Sequence, residues 1–245
     1  FRVGFAEGKL KALAAPRTSA AQVLREFGYL NERGNEHFAG CITWPITDAA
    51  GAVVGMYGRR LTGRQGAPKH LYLPGPHRGI WNRTGAKAAA VSGEPVILCE
   101  CVIDAHSCVA AGIHGAIALY GAQGMTPEHV ELFEELRPRK IVVMLDADQG
   151  GRAGTERVIE RLSRLGLSLA VAKLPEGSDA NEVLSKSGAD ALRAAVAAAT
   201  ARRQRKARLR LLLADAGRAV AVRRNSCHSA GRDRGGSGAA CSAHI

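Results

Sequence analysis

Short apolar runs alternate with helical patterns through the middle of the chain. The apolar runs have the length of buried strands and cover residues 95–99, 116–120, 141–145 and 167–174. Apolar positions at helical spacing occur between them, over residues 103–111, 127–136 and 154–165. Thr126 followed by Pro127 is typical of a helix start. Strands that alternate with helices predict an α/β fold whose parallel sheet is covered by helices on both faces.

Polar side chains directly follow three of these predicted strands. They are Glu100 after the first run, Asp146 and Asp148 after the third, and Asp179 with Asn181 after the last. Because an open parallel sheet binds ligands outside the carboxyl ends of its strands, we expect these residues to converge on one edge. An extended backbone directs Asp146 and Asp148 to the same side. Asp104, four residues after Glu100, is expected to face the same crevice.

Carboxylates gathered at one edge repel each other, and divalent cations remove that repulsion. Hard oxygen ligands favour Mg2+ or Mn2+, which proteins usually bind through a few carboxylates together with substrate phosphates. Paired ions of this kind can activate an attacking oxygen and stabilise a leaving oxygen at phosphorus. The alternative is that each acid only caps a helix N-terminus. Capping is the better explanation for any single Asp, and a metal site is the better one for several acids at successive strand ends.

A basic stretch precedes this region, with no acidic residue between Asp48 and Glu94. Its seven cations are Arg59, Arg60, Arg64, Lys69, Arg78, Arg83 and Lys87. Groups that can stack on bases or sugars lie among them, namely Tyr57, His70, Tyr72, His77 and Trp81. Frequent Gly and Pro indicate strands and loops. We favour a phosphate-facing groove over a solvated loop face, and we predict nucleic-acid or nucleotide contacts at Arg59, Arg60, Lys69, Arg78 and Arg83.

Composition narrows the classes of protein to consider. The 245 residues carry a net charge of +12, divided as +8 over residues 1–93, −5 over 94–200 and +9 over 201–245. A basic part joined to an acidic part suits an enzyme that handles polyanions. Six Cys without a regular framework indicate a reducing, cytoplasmic compartment. No apolar run approaches the ~18–20 residues of a membrane-spanning helix, so we expect no membrane partner.

Three acidic segments resemble the Toprim domain that bacterial-type (DnaG-like) DNA primases share with topoisomerases. They are Leu98–Asp104 (LCECVID), Leu145–Asp148 (LDAD) and Asp179–Glu182 (DANE). The upstream segments 38–46, 51–59 and 69–74 resemble the primase stretch that precedes this domain. Segments 103–112 and 120–126 are closer to primase-like proteins of plasmids and mobile elements. The resemblance covers most of residues 1–190 in the family's order and spacing.

The resemblance implies a nucleotidyltransferase that makes short RNA primers on single-stranded DNA during replication. A 3'-hydroxyl would attack the α-phosphate of a nucleoside triphosphate and release pyrophosphate. The implied catalytic residues are Glu100, Asp104, Asp146 and Asp148. The implied ligands of two or more Mg2+ or Mn2+ ions are Glu100, Asp146, Asp148, Asp179 and Asn181. Arg59 and Lys69 would lie in the groove that holds template or nucleotide phosphates. The resemblance also implies a protein that is associated with the nucleoid or with a plasmid.

Two positions depart from the family pattern. Cys101 stands where the family usually has Gly, and Asn181 stands where it usually has a second Asp. The neighbouring Cys99, Cys101, His106 and Cys108 lack the spacing of structural zinc ligands, so we expect no zinc in this chain. The primase zinc module and the contact with a replicative helicase are expected outside these residues, because the chain starts at Phe1 and carries neither pattern.

We therefore predict three parts: a basic α+β primase subdomain over 1–93, a Toprim domain over 94–190, and a basic helix with a tail over 191–245. The tail lacks the large apolar groups that would order it, and a truncated or out-of-frame end is our hypothesis for it. Two other functions stay open. One is a different Toprim enzyme, a nuclease or topoisomerase-like protein, and the other is a non-catalytic nucleic-acid-binding remnant of a mobile element.

Overall fold

The computed structural model describes residues 2–13, 18–61 and 66–200. They lie within one compact unit, residues 1–200, in which the described strands form two four-stranded sheets. Residues 201–245 of the predicted basic helix and tail, and Arg64, lie outside the described residues. No helix within the described ranges is long and apolar enough to cross a bilayer.

The first sheet is antiparallel, and two short helices, α1 (Leu10–Leu13) and α2 (Ser19–Glu26), lie between its first and second strands in the chain. Its strands, in spatial order, are β1 (Gly4–Phe5), β2 (Cys41–Thr47), β3 (Val53–Arg60) and β4 (His70–Tyr72). The register places Tyr57 opposite Trp44 on one side and opposite Tyr72 on the other, and it pairs Arg59 with His70. Facing aromatic pairs stabilise a sheet across its strands.

The second sheet is parallel, as the sequence pattern predicts, so the α/β class with a smaller preceding α+β part is confirmed. Its spatial order is β6 (Ala116–Ala118), β5 (Val96–Cys99), β7 (Ile141–Met144) and β8 (Leu169–Val171). The accompanying helices are α3 (Arg83–Ser92), α4 (Val102–Ala110), α5 (Pro127–Leu136) and α6 (Gln149–Ser163), and residues 180–200 are also helical. Helix α6 begins at Gln149 rather than at the predicted Gly154, because Asp148 Oδ1 accepts the Gly151 N–H at 2.7 Å and caps it.

Both faces of the parallel sheet are buried, which explains why its strands are continuous apolar runs. Ile97 and Cys99 belong to the core cluster on the α4 side, whereas Val96 and Leu98 belong to the cluster on the opposite face. Successive side chains of a strand point to opposite faces, so four apolar residues in a row supply both cores.

The antiparallel sheet joins the α4-side core through its aromatic residues. Trp44, Tyr57 and Trp81 are buried in that cluster, and Trp44 Nε1 donates to His106 Nδ1 at 3.0 Å. The prediction that Tyr57 and Trp81 could stack on bases is wrong, because they are only 0% and 4% exposed. Burial of these large side chains fixes the antiparallel sheet against α4.

His129 is a fully buried histidine in the first turn of α5, in contact with the end of β6. Its Nε2 donates to the Ala118 carbonyl at 2.9 Å, so Nδ1 is the unprotonated nitrogen. That Nδ1 accepts the Thr126 N–H at 3.2 Å and lies 2.8 Å from the Thr126 hydroxyl. Burial lowers the pKa of His129 to about 4, the Ala118 carbonyl opposes this shift, and Arg161 adds to it.

The neutral His129 predicts a defined loss of stability in acid. A histidine whose folded pKa lies below its unfolded value stabilises the fold above about pH 6.5 and loses that contribution as the pH falls toward 4. Over this pH range the wild type should lose about 3 kcal/mol of unfolding free energy through His129. This loss should be absent from His129→Gln. Urea unfolding at several pH values measures the difference. An identical pH profile for His129→Gln and for the exposed-site control His114→Gln would contradict this role.

Candidate active site

Five acidic side chains meet at the carboxyl edge of the parallel sheet. Glu100 follows β5, Asp104 lies in the first turn of α4, Asp146 and Asp148 follow β7, and Asp179 precedes the helix that begins at residue 180. Burial raises the pKa of Asp146 to about 8, and the other four carboxylates raise it further, Asp104 most strongly. The pairing of Cys99 with Met144 places Glu100 and Asp146 just beyond two adjacent strand ends, and Asp104 accepts the N–H of Asn181, two residues after Asp179. The structure therefore brings together the acids that are far apart in the sequence.

Glu100 has a buried carboxylate oxygen without a protein donor. Its Oε2 is buried and has no hydrogen-bond partner. Burial raises the pKa of Glu100, the backbone amide of Asp146 opposes the rise, and the charge of Asp148 adds to it. A buried oxygen without a donor costs free energy unless a proton or a cation satisfies it. This atom is therefore a natural point for a ligand to engage.

Asp148 and Asp179 each cap the N-terminus of a helix, as the alternative interpretation of the acids predicts. Asp148 Oδ1 accepts the Gly151 N–H at 2.7 Å, and Asp179 Oδ1 accepts the Glu182 N–H at 2.6 Å. Gly151 is required here, because a Cβ at this position would lie 2.0 Å from the Asp146 carbonyl oxygen. Each cap uses one carboxylate oxygen and fixes the direction of the other.

Asp104 is the most deeply buried of the five acids, at 2% exposure. Its Oδ2 accepts the Cys101 thiol at 2.8 Å, and its Oδ1 accepts the Asn181 N–H at 3.3 Å. Burial raises its pKa to about 6, and the Cys101 thiol opposes the rise. The Asn181 side chain donates to Ser107 Oγ at 3.0 Å. Cys101 is thus a hydrogen-bond donor to the acid cluster.

A chain of hydrogen bonds connects this carboxylate to the basic hairpin β3–β4. Arg59 Nη1 donates to His70 Nε2, which leaves the proton of His70 on Nδ1, 2.8 Å from the Tyr57 hydroxyl. The Tyr57 hydroxyl donates to Cys101 Sγ at 3.8 Å, and the Cys101 thiol donates to Asp104. Every donor therefore points toward the carboxylate. Burial lowers the pKa of His70 to about 4, and Arg59 lowers it further, which keeps the ring neutral in this role.

The predicted phosphate-binding residues divide into two groups. Arg59, Arg60 and Lys69 lie together on the β3–β4 hairpin, where Arg60 Nε donates to the Pro68 carbonyl at 3.2 Å. Arg78 lies on the loop before α3. Arg83 is turned elsewhere: its side chain is 14% exposed and pairs with Glu135 of α5 at 2.7 Å. The structure brings the hairpin cations together and places Arg83 apart from them.

Two cations that the sequence analysis did not single out lie beside Asp146. Arg152 and Lys173 line a cavity of about 350 Å³ that also includes Asp146 and Glu176. Arg152 pairs with Glu176 at 2.8 Å. The available signal was their position, since Arg152 follows the predicted strand 141–145 and Lys173 lies at the end of the predicted strand 167–174. Their charge complements a phosphate at the same edge of the sheet.

The carboxylate oxygens of the cluster suit Mg2+ or Mn2+, but only as part of a ligand set that the described residues do not supply alone. The donors are hard carboxylate oxygens, and one of them is the buried Glu100 Oε2 without a partner. Within the described ranges, however, no three His, Cys, Asp or Glu side chains are arranged so that they could hold one ion. Mg2+ is commonly bound through one or two carboxylates together with water and substrate phosphates. The arrangement fits that open mode and not an all-protein cage.

Comparison with known proteins places this geometry in context. Residues 97–184 match the family described as Toprim-like. A DNA primase of Staphylococcus aureus is 30% identical over 166 residues, which are 66% of this chain and 27% of that primase. The chain thus spans about a quarter of the length of this curated relative.

Two solved structures share the fold. The structure of the DnaG catalytic core is 25% identical, with a TM-score of 0.67 over 80% of this chain and 66% of that one. The DnaG primase catalytic domain bound to ssDNA is 26% identical, with a TM-score of 0.64 over 80% and 67%. The described part of this chain is therefore similar in both sequence and fold to primase catalytic cores.

Removal of the Cys101 thiol tests its contact with the buried carboxylate. Cys101→Ala leaves Asp104 with one donor fewer, so we expect a loss of about 1–3 kcal/mol in unfolding free energy beyond that of the matched variant Cys108→Ala. Cys108 is an equally buried thiol that contacts Cys99 Sγ at 3.7 Å. Cys101→Ser keeps a donor and should recover part of the loss. Equal stabilities of the two alanine variants in urea would contradict the assignment.

Proposed function

We propose that this protein is a primase-type nucleotidyltransferase that makes RNA primers on single-stranded DNA from nucleoside triphosphates. The observation that carries the proposal is the gathering of five acids at one edge of a Toprim-like sheet, directly linked to a basic hairpin. The similarity to primase catalytic cores over 80% of the chain supports it. We place the activity in the cytoplasm, on a nucleoid or a plasmid, in keeping with the mobile-element resemblance.

We assign the acids to two tasks within this proposal. Glu100, Asp146, Asp148 and Asp179 would hold Mg2+ or Mn2+, which when bound supplies positive charge to stabilise the phosphoryl group in transfer. Asp104 is held by Cys101 and the Asn181 backbone, so we assign it to positioning the cluster from behind. Asn181 retains its side-chain oxygen for a ligand while its amide nitrogen binds Ser107.

The hairpin cations would hold the phosphates of the template or the nucleotide. Arg59 uses one nitrogen for His70, and a guanidinium has further donors that suit a phosphate. In the proposed reaction the primer 3'-hydroxyl oxygen bonds to the α-phosphorus, and the bond from that phosphorus to pyrophosphate breaks. The residues of this chain orient the two reactants, and orientation is a large part of catalysis in phosphoryl transfer.

Substitution of the acids tests the metal-site assignment. Glu100→Gln and Asp146→Asn should lower template-dependent incorporation of labelled ribonucleotides by at least about a hundredfold, because removal of an essential electrostatic group commonly costs that much. The exposed Glu134→Gln on α5 is the matched control. As a second measurement, Mg2+ or Mn2+ should raise the melting temperature of the wild type, and this shift should shrink in Asp146→Asn.

The outcomes separate the candidate functions. Full incorporation by both acid variants would contradict the site. Strand cleavage without incorporation would favour a Toprim nuclease. DNA binding without either reaction in the wild type would favour a non-catalytic remnant of a mobile element.

Single-strand binding tests the hairpin separately from catalysis. We expect the affinity for an oligonucleotide to fall with salt, with a logarithmic slope of about −0.7 for each neutralised phosphate. Lys69→Ala should reduce the slope by the contribution of about one phosphate. Arg164→Ala is the control and should leave the slope unchanged, because Arg164 lies at the far end of α6 and pairs with Glu160. Fluorescence anisotropy at several salt concentrations measures it. An affinity independent of salt would argue against the groove.

A further inference from the structure

An exposed imidazole is stacked on a tyrosine beside the acid cluster. The rings of His77 and Tyr120 are parallel within 3°, with centroids 4.4 Å apart. Tyr72 closes the side of this pair, at 5.2 Å from His77 and 4.9 Å from Tyr120. His77 is exposed, whereas the two tyrosines are half-buried. The three side chains form a continuous aromatic surface, which we call the His77 platform.

The His77 platform lies at the edge of the sheet that carries the acids. Tyr120 follows β6, the neighbour of β5, and the next residue, Gly121, donates its N–H to the Glu100 carbonyl at 3.0 Å. The Tyr72 hydroxyl donates to the Leu119 carbonyl at 3.3 Å. The platform is therefore tied to the backbone of the residue that supplies the buried, unpartnered carboxylate oxygen.

The loop that presents His77 is held in place before any ligand arrives. The Tyr120 hydroxyl donates to the Arg78 carbonyl at 2.5 Å and lies 3.1 Å from the Gly79 carbonyl, and the Gly79 N–H donates to Glu128 Oε2 at 2.7 Å. Gly79 has a positive φ of 80°, and a Cβ there would lie 2.6 Å from the Thr47 carbonyl oxygen. A loop fixed by these contacts loses little conformational entropy when a ring stacks on it.

The surroundings identify the kind of ligand. The exposed Arg78 directly follows His77, so a flat aromatic surface and a cation are adjacent. This pairing is how proteins bind single-stranded nucleic acid, with bases stacked on rings and cations on the backbone. Trp81 and Tyr57 are buried and cannot serve in this way, whereas His77 is exposed.

We propose that the His77 platform stacks a nucleobase next to the acid cluster. The inference deepens the proposed function and rests on it for the identity of the ligand, a base of the template strand or of the incoming nucleotide. His77 supplies the exposed ring, Tyr120 backs it, and Tyr72 fixes its side. Arg78 contacts the adjoining phosphate.

Equilibrium binding without metal tests the platform apart from catalysis. The probes are a single-stranded oligonucleotide containing 2-aminopurine and, separately, 2-aminopurine riboside triphosphate, whose fluorescence is quenched by stacking. We expect His77→Ala to weaken binding of one probe by about five- to tenfold and to reduce its quenching. His77→Phe should restore both. The salt slope should not change, because a neutral stacking contact releases no counterions.

The two probes and a control distinguish the outcomes. Weakened oligonucleotide binding assigns the platform to the template, and weakened triphosphate binding assigns it to the incoming nucleotide. His114→Ala, an exposed histidine at the opposite end of β6, should bind both probes like the wild type. If His77→Ala binds both probes as His114→Ala does, the inference is wrong, even when Glu100→Gln abolishes incorporation. If the wild type makes no primer, and the His77→Ala variant nevertheless loses the stacking that the wild type shows, the proposed function is wrong and the base-stacking role of the platform is supported.

Discussion

The buried carboxylate of Asp104 is the constraint on which both halves of the structure depend. A carboxylate at 2% exposure is tolerated only when donors satisfy it, and here the donors come from two directions. Asn181 reaches it from the start of the last helix, and Cys101 reaches it from the N-cap of α4. Because Cys101 in turn contacts Tyr57 of the antiparallel sheet, satisfying one acid also fixes how the two sheets meet.

The remaining acids are arranged by a balance between mutual repulsion and local capping. Asp148 and Asp179 each give one oxygen to a helix N-terminus, where the backbone amides offset part of their charge. Asp146 and Glu100 lack such a cap within the described contacts, and burial among like charges raises the pKa of both. The capping and metal-binding interpretations are therefore compatible. Capping fixes two acids in place and leaves Glu100 and Asp146 as the carboxylates that the proposed metal ions would engage.

The sequence was sufficient for the parallel sheet and for the gathering of the acids, because both follow from local patterns. Runs such as Val96–Cys99 supply two cores at once, and polar residues just after such runs must lie at one edge. It was not sufficient for contacts set by antiparallel register. The pairings of Tyr57 with Tyr72 and of Arg59 with His70 depend on where two strands align. This is why Tyr57 was mistaken for a stacking residue. The pairing of Arg83 with Glu135 was not foreseen because it joins α3 to α5 and depends on how these two helices pack.

The same register explains how one hairpin can serve both stability and the phosphate recognition proposed for it. Side chains two residues apart in a strand lie on the same face, so Tyr57 and Arg59 of β3 share one. Tyr57 is buried in the core, and Arg59, nearer the end of the strand, is partly exposed. His70 lies opposite Arg59 on the paired strand, and its ring contacts both side chains, Arg59 through Nε2 and the Tyr57 hydroxyl through Nδ1. A lysine at position 59 would keep the charge, but it would lose the planar fork that can bind an imidazole and a phosphate together. The identity of this cation, and not only its charge, is thus part of what joins the basic surface to the acids.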